Sequence, residues 1–130
     1  MEQHFLLDSN VVIDFLAGKL PEEGKKLLRG VVNAVPVVSV ITRIEVLGFS
    51  LDAAASKLLN DFMEASVVID LSLGIADRTI ALRRSSRLKT PDAIIAATAL
   101  EYQLVLLTRN TKDFATVDGL QLVNPWIISH

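Results

Sequence analysis

Thr90-Pro91-Asp92-Ala93-Ile94-Ile95-Ala96-Ala97-Thr98-Ala99-Leu100-Glu101-Tyr102-Gln103-Leu104-Val105-Leu106-Leu107 runs a helix start, a helix and a strand together in one stretch. Pro91 suits a first helical turn, because the N–H it lacks would have no intrahelical partner there. Asp92 places an acid at the positive end of the helix dipole, which is expected to hold the carboxylate ionised. The apolar run from Ala93 predicts a helix ending near Tyr102. Leu104 to Leu107 is apolar at every position, as a strand covered on both faces must be.

Working outward, the same alternation recurs. His4 to Asp8 is expected to be a strand, with His4 exposed on it, and Val11 to Leu16 a helix capped by Ser9 or Asn10, with Gly18 just past its end. Pro21-Glu22-Glu23 begins a second helix that should reach Arg29 and stop at Gly30. Val35 to Val40 is strand-like, and Thr42 to Gly48 reads as a helix with Thr42 as N-cap and Glu45 at capping-box spacing. Asp52 to Ala65 carries apolar residues at Ala55, Leu58, Leu59 and Phe62, the period of an amphipathic helix. Val67 to Ile69 is a short strand, Leu73 to Arg87 a long helix striped by Ile75, Thr79 and Leu82, and Leu120 to Val123 a last strand. Strands alternating with helices predict an α/β fold with a central, mostly parallel sheet flanked by helices. No linker or repeat divides residues 1–130, so one domain is expected.

Composition narrows the chemistry. Apolar residues make up 51% of the 130 and aromatics 5%, so the core must be aliphatic. No window is long and uncharged enough for a membrane span, and Met1-Glu2-Gln3-His4 has no basic export signal, which leaves the cytoplasm as the expected location. With no Cys there is neither a disulfide nor a thiolate metal site. His4 and His130 are both near the termini, the latter expected to fray, and no Ser/His/Asp set or phosphate-cradling glycine pattern is present. The net charge is −2, but Arg78, Arg83, Arg84, Arg87 and Lys89 face only Asp77 between Leu71 and Thr90, leaving −6 for the rest of the chain. Such a strip suits a polyanion beside an acidic site, or is simply a solvated helix face.

Three carboxylates stand where apolar segments meet turns or helix starts: Asp8 after Phe5-Leu6-Leu7, Glu45 after Val37-Val38-Ser39-Val40, and Asp92. Each has an ordinary explanation, as a turn or capping Asp, a capping-box Glu and a helix N-terminal acid. The strand-to-helix edges of an α/β sheet can nonetheless bring all three into one crevice. Clustered acids must then share a proton or bind a divalent cation. All-oxygen ligands favour Mg²⁺ or Mn²⁺ over Zn²⁺. A carboxylate-held divalent ion can activate water, neutralise charge at phosphorus and stabilise the leaving oxygen, which points to phosphodiester hydrolysis. The polar turn Thr108-Arg109-Asn110-Thr111-Lys112-Asp113-Phe114 follows the buried strand, where an α/β crevice takes its ligand, though a plain polar loop has the same composition.

Four blocks carry a resemblance: Leu-Leu-Asp-Ser-Asn-Val-Val-Ile-Asp (6–14), Thr-Arg-Ile-Glu-Val-Leu-Gly (42–48), Thr-Pro-Asp-Ala-Ile-Ile-Ala-Ala-Thr-Ala (90–99) and Leu-Leu-Thr-Arg-Asn-Thr-Lys-Asp-Phe (106–114). In this order they resemble the PIN-domain nucleases, and among them the VapC-type toxins of toxin–antitoxin pairs, from Leu6 to Pro125. The resemblance implies a Mg²⁺- or Mn²⁺-dependent endoribonuclease in which Asp8, Glu45 and Asp92 match the first three acids and hold the metal. The fourth acid of the family falls in the block where this chain has Asn110, a departure; Asp113, three residues on, is the candidate substitute. Thr42 and Thr108 match polar pocket positions, and Asn10 and Ser9 lie beside Asp8. RNA would be held by Arg83, Arg84 and Arg87, with Arg109 or Lys112. The resemblance further implies a homodimer and an antitoxin whose segment covers the acidic groove, placing an Arg near Asp8 and Asp92. Two rival readings remain: a Mg²⁺-dependent phosphotransfer domain, which would want a second Asp where Asn10 stands, and a weak or inactive PIN-like domain acting as a binding partner.

Overall fold

The computed structural model describes residues 4–49 and 52–128; His130 and Met1 to Gln3 lie outside them. Five strands, β1 (Phe5–Leu7), β2 (Val37–Ser39), β3 (Val67–Ile69), β4 (Val105–Leu107) and β5 (Leu122–Val123), form one sheet. Its order is β3-β2-β1-β4-β5, and all four pairings are parallel. From β1 the chain moves outward on one side through β2 and β3, then returns to β4 on the other side. The order therefore reverses between β1 and β4, and in an open parallel sheet the crevice lies beyond the carboxyl ends at that switch point.

Seven helices cover the faces among the described residues: α1 (Ser9–Leu16), α2 (Glu22–Asn33), α3 (Val40–Leu47), α4 (Ala53–Glu64), α5 (Leu73–Ser85), α6 (Thr90–Glu101) and α7 (Thr111–Phe114). The two-residue period of a strand divides the core between the two faces. Leu7, Val38 and Leu107 pack against α1 to α4 through Val11, Val12, Leu28, Val46, Leu59 and Phe62. Leu6 and Leu106 face the other way, onto Ala93, Ile95, Ala96 and Ala99 of α6 and onto Phe114. Ala93 to Ala99 are all buried, because α5 closes the far side of α6 through Ile75 against Ile94 and Ala97. A helix apolar all round is one with no solvent face.

Three helix ends and one buried helix face differ from the sequence expectation for local reasons. Asp8, not Ser9 or Asn10, caps α1: its side chain accepts from the Ser9 N–H and its carbonyl from Val11 and Val12. α2 runs through Gly30 to Asn33, because Val31 continues the buried stripe of Gly24 and Leu28. It ends where Pro36 disfavours a helical Val35, whose φ is 82°. Ser39 caps α3 by accepting from the Ile41 N–H, so Thr42 lies within the helix and Glu45 takes no part in a capping box. In α4 it is Leu59, Phe62 and Met63 that are buried, while Leu58 is exposed. No helix among the described residues is long and apolar enough to cross a membrane.

Candidate metal centre

Strand register alone brings the first two site residues together. β1 and β4 pair Leu7 with Leu107, so the next residues, Asp8 and Thr108, leave the sheet side by side at the switch point. Their side chains meet there: Thr108 Oγ1 donates to Asp8 Oδ2 at 2.7 Å. Asp8 Oδ1 accepts from the Ser9 N–H at 2.8 Å, and Asn10 Nδ2 approaches Oδ2 at 3.5 Å. Asn10 Oδ1 in turn accepts from the Arg109 N–H at 3.2 Å, tying the start of α1 to the turn after β4. Thr108 Oγ1 also accepts from the Asn110 N–H at 3.1 Å. One threonine hydroxyl thus orients both the buried carboxylate and the turn that carries Asn110.

Glu45 arrives from the neighbouring strand. β2 hands the chain to α3 beside β1, and the exposed Glu45 accepts the Ser9 hydroxyl at 2.6 Å through Oε1. Thr42, one turn earlier on the same helix face, is fully buried, and its hydroxyl has no hydrogen-bond partner. Asp92 sits half-buried in the first turn of α6. Asp113, exposed in α7, lies close enough to act on Asp92 electrostatically.

Asp8 is only 4% exposed. Burial pushes its pKa above the ordinary 3.8, Glu45 adds to the shift, and the hydrogen bonds from Thr108, Ser9 and Asn10 oppose it. The pKa of Asp92 is likewise raised above 3.8, first by burial and then by the charges of Asp8, Glu45 and Asp113; Lys89 pulls it the other way. The helix dipole expected to hold Asp92 ionised is outweighed by a half-buried site with three other carboxylates. Among the described residues the ion pairs join Arg29 to Glu22, Lys57 to Asp61 and Arg78 to Glu101, and none includes the four site acids.

No three acidic or histidine side chains among the described residues close into a ready-made cage. A divalent ion such as Mg²⁺ nevertheless fits this donor set. It keeps several waters and takes only one or two protein carboxylates; neither Asp8 nor Asp92 is in an ion pair among the described residues, Lys89 lowers the Asp92 pKa less than burial and the other acids raise it, and the buried Thr42 hydroxyl is unsatisfied.

The cations expected near RNA separate into two groups. Arg83 donates to the Leu88 carbonyl at 2.8 Å, and the Arg109 guanidinium stacks 5.0 Å from the centre of the Trp126 ring. Arg84 is exposed on the last turn of α5. Arg87 and Lys112, by contrast, line a cleft with Asp92 and Asp113, and so does Lys89. Sequence reasoning used Lys89 only in a charge count, although its place just before Thr90-Pro91-Asp92 pointed to the site. It also passed over Trp126, whose part depends on the C-terminal segment folding back.

The PIN domain family model matches residues 5–120, and the chain belongs to that family. It is similar to a toxin–antitoxin complex from Klebsiella pneumoniae at 37% identity and a TM-score of 0.76, over 95% of this chain and 98% of that one. The fold also matches VapBC2 from Rickettsia felis bound to a promoter DNA fragment, at 20% identity and a TM-score of 0.79, over 94% and 98% of the two chains. DNA-bound VapBC from Salmonella typhimurium matches at 23% identity and a TM-score of 0.78, over 95% and 99%. No curated protein sequence matches the chain.

Proposed function

We propose that this PIN-domain protein is a Mg²⁺-dependent endoribonuclease, the cytoplasmic toxin of a toxin–antitoxin pair. The observation that carries the reading is that Asp8, Glu45 and Asp113 all act on Asp92 electrostatically, while none of the four acids is in an ion pair among the described residues. Membership of the PIN family and the likeness to the Klebsiella pneumoniae complex support it.

Asp8 and Asp92 would hold the ion, with Glu45 beside them. When bound, a divalent ion polarises the phosphoryl oxygen and offsets the charge that develops at phosphorus. The protein residues do the rest. Ser9 holds one oxygen of Glu45, so the other is free to accept a proton from the attacking water and to orient it. Thr108 and the Ser9 N–H keep Asp8 in one rotamer, so the site needs no rearrangement when substrate arrives. Water adds at phosphorus, the ester P–O bond opposite it breaks, and the departing oxygen takes its proton from solvent. The partners are an RNA substrate, a second copy of the chain and an antitoxin whose segment covers the acidic groove.

Asp92→Asn is expected to abolish RNA cleavage and to keep the fold. Losing one of four mutually repelling charges should leave the metal-free protein level or more stable by about 0.5–2 kcal/mol. An RNA digest with a Mg²⁺ titration, alongside thermal melts, makes the test. A variant that cuts at the parental rate, or one that fails to fold, defeats the assignment. A parent that binds Mg²⁺ and RNA without cutting points to the inactive binding-partner reading.

A further inference from the structure

The cleft of about 630 Å³ between the end of α5 and α7 has Asp92 and Asp113 in its lining. Arg87, Lys89 and Lys112 line it as well, and all three side chains are exposed. None of them is in an ion pair among the described residues. The cleft therefore combines two carboxylates with three cations that are in no ion pair among the described residues. Its hydroxyls are already engaged: Ser86 donates to the Leu82 carbonyl at 2.7 Å and accepts from the Leu88 N–H at 3.4 Å, and Ser85 donates to Ala81 at 3.2 Å. No aromatic ring lines it.

From this lining we infer that the cleft is a phosphate-binding subsite, which holds the sugar–phosphate backbone of the RNA on one side of the scissile bond and does not read the base. The inference rests on the ribonuclease reading and extends it to how substrate is held. Three charged donors suit phosphate oxygens. Base-directed binding to a single strand is built on aromatic stacking, and the cleft offers no ring. Phosphate contacts set register without conveying sequence. Selectivity for a particular base on this flank is therefore weak, and any sequence preference of the enzyme arises on the other side of the cut. Arg83 and Arg109 play a different part, holding the Leu88 carbonyl and Trp126.

The test compares the parent with Arg87→Gln/Lys89→Gln/Lys112→Gln on a single-stranded RNA oligonucleotide of mixed sequence. Two sets of modified oligonucleotides carry either one neutral methylphosphonate or one abasic nucleotide at successive positions around the cut. Lys26→Gln/Arg29→Gln/Lys57→Gln removes the same total charge elsewhere and serves as the control. The site variant should raise KM by about tenfold at low salt, a larger change than the one in kcat that the loss of Lys89 beside Asp92 brings. It should also flatten the salt dependence of binding by about 0.7 in the log–log slope for each phosphate that the cleft no longer neutralises. In the parent, a methylphosphonate on one flank should raise KM while the abasic nucleotide beside it does not; in the site variant that methylphosphonate should have no further effect. Parental KM and salt slope in the site variant would overturn the inference, as would an equal loss in the control or an abasic penalty matching that of the neutral phosphate. A parent that neither binds nor cuts RNA overturns the ribonuclease reading itself, and the subsite with it. A parent that cuts but is indifferent to the site variant overturns the subsite alone.

Discussion

At Asp8 and Asp92, burial and like charge act in the same direction, and folding stability registers both. Each carboxyl has a folded-state pKa above its ordinary 3.8, the reverse of a salt-bridged Asp. Between 3.8 and those raised values the native state binds more protons than the unfolded chain, so stability falls as pH rises through that window and levels off above it. Thermal melts in EDTA should show this loss, with a shallower slope for Asp92→Asn. Mg²⁺ should restore stability above the window, by about 2.7 kcal/mol at a hundredfold excess over its Kd. Parallel pH profiles for parent and variant would refute the coupling. Asn110 and Asp113 separate by the same logic. Asn110→Asp should tighten Mg²⁺ binding about thirtyfold, the effect of roughly 2 kcal/mol between one added charge and a divalent ion about 4 Å away in water. Asp113 adjoins Asp92 electrostatically but is exposed, so Asp113→Asn should cause a partial loss of activity. Calorimetry and single-turnover digests measure the two effects, and a complete loss in Asp113→Asn would make it the working fourth acid.

Helix α2 contains two glycines with opposite expectations. A Cβ at Gly30 would meet nothing within 4 Å, so Gly30→Ala should stabilise by about 0.5–1 kcal/mol through helix propensity alone. A Cβ at Gly24 would run into the Pro125 carbonyl, part of the backbone and unable to yield like a flexible side chain. Overpacking of that kind costs about 1–3 kcal/mol, more than the propensity gain. Gly24→Ala should therefore destabilise, and it should push on the segment that carries Trp126. Trp126 is the only tryptophan and lies under Arg109, so its fluorescence reports the disturbance beside urea midpoints. Equal midpoints for the two variants would show that the α2–Pro125 contact has no energetic weight.

For the whole molecule, the aliphatic composition leaves apolar surface uncovered. Ile44, Phe49 and Leu58, on or beside α3 and α4, are 60%, 52% and 47% exposed, and the proposed second copy of the chain would cover them. Sedimentation at micromolar concentration should show a species twice the 14.2 kDa of the chain. Co-expression with the proposed antitoxin should yield a complex that Mg²⁺ alone does not activate. A monomer across that concentration range would remove the homodimer from the proposal.

Much of this architecture could be read from local pattern. Doubly buried strands such as Leu104 to Leu107 and the alternation of strand and helix are properties of short windows, and they predicted the α/β class and nearly every element. The acids could be named one by one, because Asp8, Glu45 and Asp92 each stand at an element edge. Boundaries set by competition between neighbours were less legible. Thr42 and Ser39 both qualify as N-caps, and burial of Thr42 decided for Ser39; Gly30 looks like a helix stop until Val31 is seen packing inward. What joins the acids was not in any window. The Thr108–Asp8 bond spans 100 residues and the Ser9–Glu45 bond 36; the first follows from the β1–β4 pairing at the switch point and the second from the β1–β2 pairing on the other side of β1. The raised pKa of Asp92 and the cleft shared by Arg87, Lys89 and Lys112 likewise depend on distances through space. Propensity and periodicity act over one or two turns of chain and are written in the sequence; electrostatics and burial act between segments that meet only after folding, and the tertiary structure alone decides them.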